Sequence, residues 1–137
     1  MGWVAEQLMA RIEQAASGLE SPTAALQAML MAHIAFVSEH PGVPRMLFGV
    51  LQKPGPSPAK QLAQRLLETY AARLQGLIER AKDQGEVGPE LDARAAVMLF
   101  IGSIQGLVMQ SMMAGDIMHI KRNAPGVFAL YLRGLRV

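Results

Sequence analysis

Cysteine is absent from the 137 residues. That excludes disulfides, thiolate zinc sites and a cysteine nucleophile. Aromatic residues are scarce, at 5%, and no run alternates polar residues with the Val, Ile and Thr that strands favour. A sheet is therefore not expected. Charge of one sign is also scarce. Thirteen basic residues face 11 acidic ones, for a formal net charge of +2, a weak footprint for a nucleic-acid partner. There is no GxSxG, Walker-type loop or GxGxxG, so hydrolase, nucleotide and dinucleotide chemistry have no motif. ExxH and HExxH are missing too, which leaves helical metal ligation without its spacing. No basic segment precedes an apolar core at the start, so no signal peptide is expected. No repeat at a solenoid period is found.

What is present is a 14.8 kDa chain with 51% hydrophobic and 18% charged residues. One packed domain is expected, not a disordered one. Ala, Leu, Met, Gln, Glu and Arg fill the stretches between Pro and Gly breaks, and these are good helix formers. The breaks predict six helices and an all-α fold.

The first helix is expected over Trp3–Ser17, ended by Gly18. Ser21-Pro22 opens the second, with Ser21 as N-cap and Pro22 in the first helical position. That helix carries no charge from Thr23 to Ser38, so burial on most sides is expected. His40-Pro41-Gly42 stops it. A short third helix follows over Val43–Gln52, then a stiff connector, Lys53-Pro54-Gly55-Pro56-Ser57-Pro58. The fourth helix is expected from Pro58 to Gln84 with Gly85 as its cap. The fifth runs from Pro89 to Ala114. Asn123 is expected to cap the sixth, Ala124–Arg136.

The fifth helix contains 21 consecutive uncharged residues, Ala95 to Gly115. That length can span a bilayer, and Gly102 and Gly106 form a GxxxG pair. Against a membrane helix stand Ser103, Gln105, Gln110 and Ser111 inside the run, and basic residues at both ends. The soluble alternative is a helix covered on nearly all sides. One small protomer covers only part of it, so a second copy is the natural cover for the rest. A homodimer is expected, with Gly102, Gly106, Gln110, Phe128, Tyr131 and Leu135 at its seam. The competitors are a central helix of a monomer and a membrane-associated helical protein.

His33, His40 and His119 are the histidines. His33, in the uncharged second helix, reads first as a core or pocket-wall residue with one hydrogen bond. Ten methionines suit adaptable apolar surfaces as well as ordinary core filling. Met29, His33, Phe36, Met46, Tyr70, Met98, Gln105 and Met109 set a few polar groups among soft apolar ones on the second to fifth helices. That composition suits a small-molecule pocket. Arg73 is the nearest cation to it and could meet an anion. No catalytic residue, metal or cofactor is expected. A helical enzyme or metal-binding bundle is the alternative reading.

FVSEHPGVPRMLFGVL (Phe36–Leu51) resembles the junction of two helices in regulatory domains of the TetR family of transcriptional repressors. LIERAKDQGEVGPELDARAAVMLFIGSIQGLVMQ (Leu77–Gln110) and FALYLRGL (Phe128–Leu135) resemble the stretches that follow. The resemblance runs from about Ala24 onward. It implies a six-helix ligand-binding and dimerisation domain across residues 1–137, whose last two long helices pair with their copies in a four-helix bundle. It implies a cavity for a small effector that controls DNA binding allosterically; an apolar or aromatic-type molecule is expected, because no Arg or Lys cluster falls on the presumed cavity face. It implies a homodimer; a cytoplasmic location is the simplest expectation from composition, and no enzymatic motif is present. Family members carry an N-terminal helix-turn-helix domain, and no such segment occurs here. Residues 1–17 would then be the connector toward that domain, the chain a fragment, and DNA a partner only through the absent part.

Overall fold

The computed structural model describes residues 2–136 and contains six helices, with no strand among the described residues. They are α1 (Gly2–Ala16), α2 (Pro22–Glu39), α3 (Gly42–Gln52), α4 (Pro58–Asp83), α5 (Ala93–Ala114) and α6 (Met118–Arg136).

α2 is the centre of the bundle. It packs on α1, α4 and α6, while α5 closes the ring between α4 and α6. Ser21 caps α2 by accepting the Ala24 N–H at 3.1 Å, and Pro22 takes the position where a missing N–H costs nothing. Leu26, Met29, Leu30, Ile34 and Phe36 are all essentially inaccessible. Each such side chain contributes about 1.5–3 kcal/mol relative to exposure. α1 lays Val4, Leu8, Ile12 and Ala16 against this core, one residue per turn along a single stripe.

α3 is the least anchored element. Only Pro44 of its eleven residues is buried, and its main contact is with α4. The connector behind it is tied down by Lys60, whose ammonium donates to the Gly55 carbonyl at 2.7 Å and to that of Lys53. Ser57 caps α4 through the Lys60 N–H.

α4 and α5 end in the same way. Gly85 (φ +74°) and Gly115 (φ +68°) adopt the left-handed conformation. Gly85 N–H then donates to Lys82 and Glu86 N–H to Ala81, while Gly115 N–H donates to Met112 and Asp116 N–H to Ser111. This pairing satisfies the last carbonyls of each helix and favours glycine at the turn. In both cases the residue after the glycine is an acid that caps another helix.

Two boundaries differ from expectation. α5 begins at Ala93, not Pro89, because the Asp92 carboxylate accepts the Ala95 N–H at 3.1 Å, while Gly88–Leu91 forms a turn. α6 begins at Met118, not Ala124. Asp116 accepts the Met118 N–H at 3.0 Å and the Arg122 guanidinium at 2.5 Å, so capping happens about two turns earlier than at Asn123. Asn123 is no cap: its amide donates to the His119 carbonyl. Pro125 lies inside α6 on its exposed side. The burial of Ile120 and Ala124 holds the first turns on the body despite the hydrogen bond that proline removes.

Candidate functional site

The residues expected to line a pocket fall into two groups. Met29, Phe36 and Tyr70 are buried, and His33 is half-buried. His33 Nδ1 lies 3.0 Å from the Tyr70 hydroxyl, joining α2 to α4. The pair sits where α2 offers no charge between Thr23 and Ser38. Burial holds the His33 imidazole down to about 4 and pushes the Tyr70 phenol up, so both groups are neutral at pH 7.

From this pair an aromatic chain crosses the bundle. Tyr70 lies 6.2 Å from Phe100, Phe100 lies 5.7 Å from Tyr131, and Tyr131 lies 5.8 Å from Phe128. Tyr131 ends it by donating to the Ala96 carbonyl at 2.8 Å. Phe100 was not among the expected pocket residues. Its only signal was an aromatic within an uncharged helix. The recess between Leu30, Phe100, Ser103, Val127, Phe128 and Tyr131 is too narrow to hold a water molecule.

The second group is solvent-exposed. Met98, Gln105 and Met109 lie exposed on the outer face of α5, Met98 at 66%. Met46 is exposed on α3 and Arg73 on α4. These five are solvent-exposed, unlike the buried Tyr70 and the half-buried His33. The spacing of α5 accounts for this placement: its buried stripe is Ala93, Ala96, Val97, Phe100, Ile104, Leu107, Val108 and Ser111, and Met98, Gln105 and Met109 fall opposite it.

The residues expected at a dimer seam also divide. Gly102 and Gln110 are exposed, and Gly106 is half-exposed. A Cβ at Gly102 or Gly106 would meet nothing within 4 Å. Phe128, Tyr131 and Leu135 are instead buried inside the protomer, because α6 turns that stripe toward α2 and α5. The outward side of α5 carries Ala95, Met98, Leu99, Gly102, Gln105, Met109, Gln110 and Met113, and that of α6 carries Gly126, Ala129 and Leu130 with Arg122 and Arg133. Met113 and Leu130 are 81% and 67% exposed. α5 is long and apolar enough to cross a membrane by length and composition. Its buried stripe is nonetheless shared with the core of the other helices.

A third cluster was not foreseen. At the junction of α1, α2 and α3, Arg11 pairs with Glu39 and stands over the Phe36 ring at 5.7 Å. The Arg11 hydrogen bond holds the Glu39 carboxyl below its ordinary range. His40 lies between Trp3 and Phe36, with ring centroids at 5.6 and 4.8 Å. Sequence offers no spacing rule for such a junction, since its members lie up to 37 residues apart. Among the described residues, no group of three or more His, Asp or Glu side chains is placed to hold a metal ion.

Known proteins share this arrangement. A TetR transcriptional regulator from Chloroflexus aurantiacus J-10-FL superposes with a TM-score of 0.78 at 16% identity, covering 93% of this chain and 66% of that one. A protein of unknown function from Rhodococcus sp. RHA1 superposes with a TM-score of 0.75 at 17% identity, covering 98% of this chain and 68% of that one. The chain thus spans just under two thirds of the length of the Chloroflexus regulator. No curated protein matches it by sequence. The family model for the tetracyclin repressor-like C-terminal domain matches residues 52–127. That match covers more than half of the chain, and the chain belongs to the TetR family of transcriptional regulators, within its C-terminal regulatory domain.

Proposed function

We propose that this domain binds a small apolar or aromatic-type effector and, as a homodimer, passes that binding to a DNA-reading domain. The dimerisation part rests on one observation, the uncharged outer face of α5. That helix has no charged side chain from Ala95 to Gly115, yet Met98, Leu99, Met109 and Met113 are exposed in the protomer. A contiguous apolar face of this kind marks an interaction surface. Gly102 and Gly106 beside it permit close approach of a second helix. The adjoining strip of α6, Gly126, Ala129 and Leu130 beside the exposed Arg122 and Arg133, completes a two-helix face that a copy related by a two-fold axis could cover as a four-helix bundle.

The effector part is supported by the neutral His33–Tyr70 pair, which α2 supplies from a stretch without charge while the charged residues near Tyr70 on α4, Arg65, Glu68 and Arg73, are exposed to solvent. Entry would require movement, because the recess beside Phe100 is closed. α3 is the element with the fewest buried anchors. The Arg11–Glu39 and Trp3–His40 contacts seat α1 on the corner between α2 and α3. In this reading residues 1–17 form the connector toward the reading head. An effector that favours one seating of α1 would shift its population, with a coupling typically of about 1–3 kcal/mol. Regulators of this family are generally not enzymes, and a cytoplasmic location follows from the same reading.

Sedimentation equilibrium at tens of micromolar, with mass spectrometry of any co-purified small molecule, tests both parts. A dimer burying more than about 1,000 Å² is expected. A monomer across that range would overturn the dimer, and failure of apolar molecules to bind would overturn the effector role.

A further inference from the structure

We propose that His33 offers its Nε2–H to the effector, so that the domain selects neutral molecules carrying a carbonyl or similar hydrogen-bond acceptor on an apolar body. The inference rests on the effector-binding reading above and names the ligand chemistry it requires.

The argument begins with protons. His33 Nδ1 and the Tyr70 hydroxyl are 3.0 Å apart, and one proton lies between them. Two arrangements are open. In the first, Tyr70 donates to Nδ1, and the ring carries its own proton on Nε2. In the second, Nδ1–H donates to the Tyr70 oxygen, and the hydroxyl proton needs another acceptor. Tyr70 is 4% exposed, and its hydroxyl has no other partner among the described residues. Leaving a buried donor unpaired costs about 1–3 kcal/mol. The first arrangement therefore prevails, and the tautomer is fixed by the bond the other nitrogen makes.

His33 Nε2 then becomes a donor. It has no protein acceptor among the described residues, and it is not a sealed, orphaned atom either; the residue is only half-buried. Its position is polar, while its surroundings are not. Met29 and Leu30 flank it one turn earlier on α2 and are buried, and Phe100 continues from Tyr70.

The same surroundings set the ligand's charge. α2 from Thr23 to Ser38 and α5 from Ala95 to Gly115 carry no ionisable group other than His33. On α4, the helix that carries Tyr70, the nearby charged residues Arg65, Glu68 and Arg73 are exposed to solvent. An ionic ligand would lose its hydration without gaining a counter-charge. A ketone, ester or amide oxygen can accept from Nε2–H without that penalty.

Two measurements test the proposal. Nitrogen-15 NMR of the histidines at pH 7 should show His33 protonated on Nε2, and protonation on Nδ1 would overturn it. Binding of two fluorescent probes supplies the second: 6-propionyl-2-(dimethylamino)naphthalene and its 6-propyl analogue, which lacks the carbonyl. The ketone should bind about three- to tenfold tighter to the wild-type chain, the scale of one neutral hydrogen bond. His33→Phe should remove that preference while retaining the propyl probe. Equal binding of both probes to the wild-type chain, or a preference that survives His33→Phe, would overturn the acceptor proposal and leave the effector reading standing. Binding of neither probe would overturn both. Where His33→Phe fails to fold, the NMR result on the wild-type chain decides.

Discussion

Glu86 closes the first turn of α2 from outside the helix: its carboxylate accepts the Thr23 N–H at 2.9 Å and the Thr23 hydroxyl at 2.8 Å. Ser21 adds its hydroxyl at 2.9 Å. A local capping box would place an acid three residues after Ser21, but Ala24 stands there. The acid comes instead from the turn after α4, 63 residues from Thr23. The left-handed Gly85 aims it. Next to it, Gly88 N–H donates to the Leu135 carbonyl at 2.9 Å, so one loop joins α2, α4 and α6.

The Glu86 clamp should depend on pH. The backbone N–H of Thr23, then the Thr23 and Ser21 hydroxyls, hold its carboxyl below the ordinary range. A carboxylate lowered on folding stabilises fully above its unfolded pKa and loses that contribution as pH falls through the folded one. Glu86→Gln should lower the urea midpoint at pH 7, by about 1–2 kcal/mol in stability. The gap between variant and wild type should narrow below about pH 4. A gap of the same size at pH 7 and pH 3 would count against the clamp.

His33 gives a dependence in a higher window. Its pKa falls from an unfolded value near 6.5 to about 4. Between those values the unfolded state binds more protons, so stability is lost as pH falls from about 6.5 toward 4. The expected loss is about 1–3 kcal/mol for a half-buried ring. Urea titrations at pH 7 and pH 5 on wild type and His33→Gln would show it as a slope that the variant lacks.

Tyr131 and Phe128 should report on the protomer, not on association. Tyr131→Phe removes a bond to the Ala96 carbonyl, which lies within the body of α5 and still has its helical partner. The cost should be about 0.5–1.5 kcal/mol. Phe128→Ala opens a core cavity and should cost about 3–5 kcal/mol. Thermal or urea unfolding monitored by circular dichroism would measure both. Dissociation of an otherwise equally stable protomer would show that these side chains face a partner.

Gly106→Leu should do the reverse. A side chain at Gly106 meets nothing within 4 Å in the protomer, so helicity and the core should persist. In a dimer built on α5 the added side chain would push paired backbones apart. Sedimentation equilibrium should show weaker association with an unchanged circular dichroism spectrum. A Gly106→Leu dimer as tight as wild type would place the seam elsewhere.

The six helices were legible because their causes are local. Ser21-Pro22 and Ser57-Pro58 supply a capping hydroxyl and a preset φ at adjacent positions. Glycines supply the left-handed turns after α4 and α5. The starts of α5 and α6 were less legible, because Pro89 and Asn123 carry the same kind of signal as the actual caps, Asp92 and Asp116. The burial of Ile120 chose between them.

The sequence alone determined the helical class, the uncharged character of α2 and α5, and the family pattern. Those depend on propensity and on the order of residues along one chain. Tertiary structure decided which face of each helix turned inward. A helix apolar all round, such as α5, has no periodic signal to mark its buried side. So Met98 and Met109 could not be separated from Phe100 and Ile104 by pattern, and Phe128, Tyr131 and Leu135 could not be assigned to core or seam. Packing broke that degeneracy: Phe100 and Tyr131 found each other across the α5–α6 contact, and the methionines remained on the outside. The same holds for Thr23 and Glu86. Their bond arises from the docking of one helix end on another, and no spacing rule along the chain encodes it.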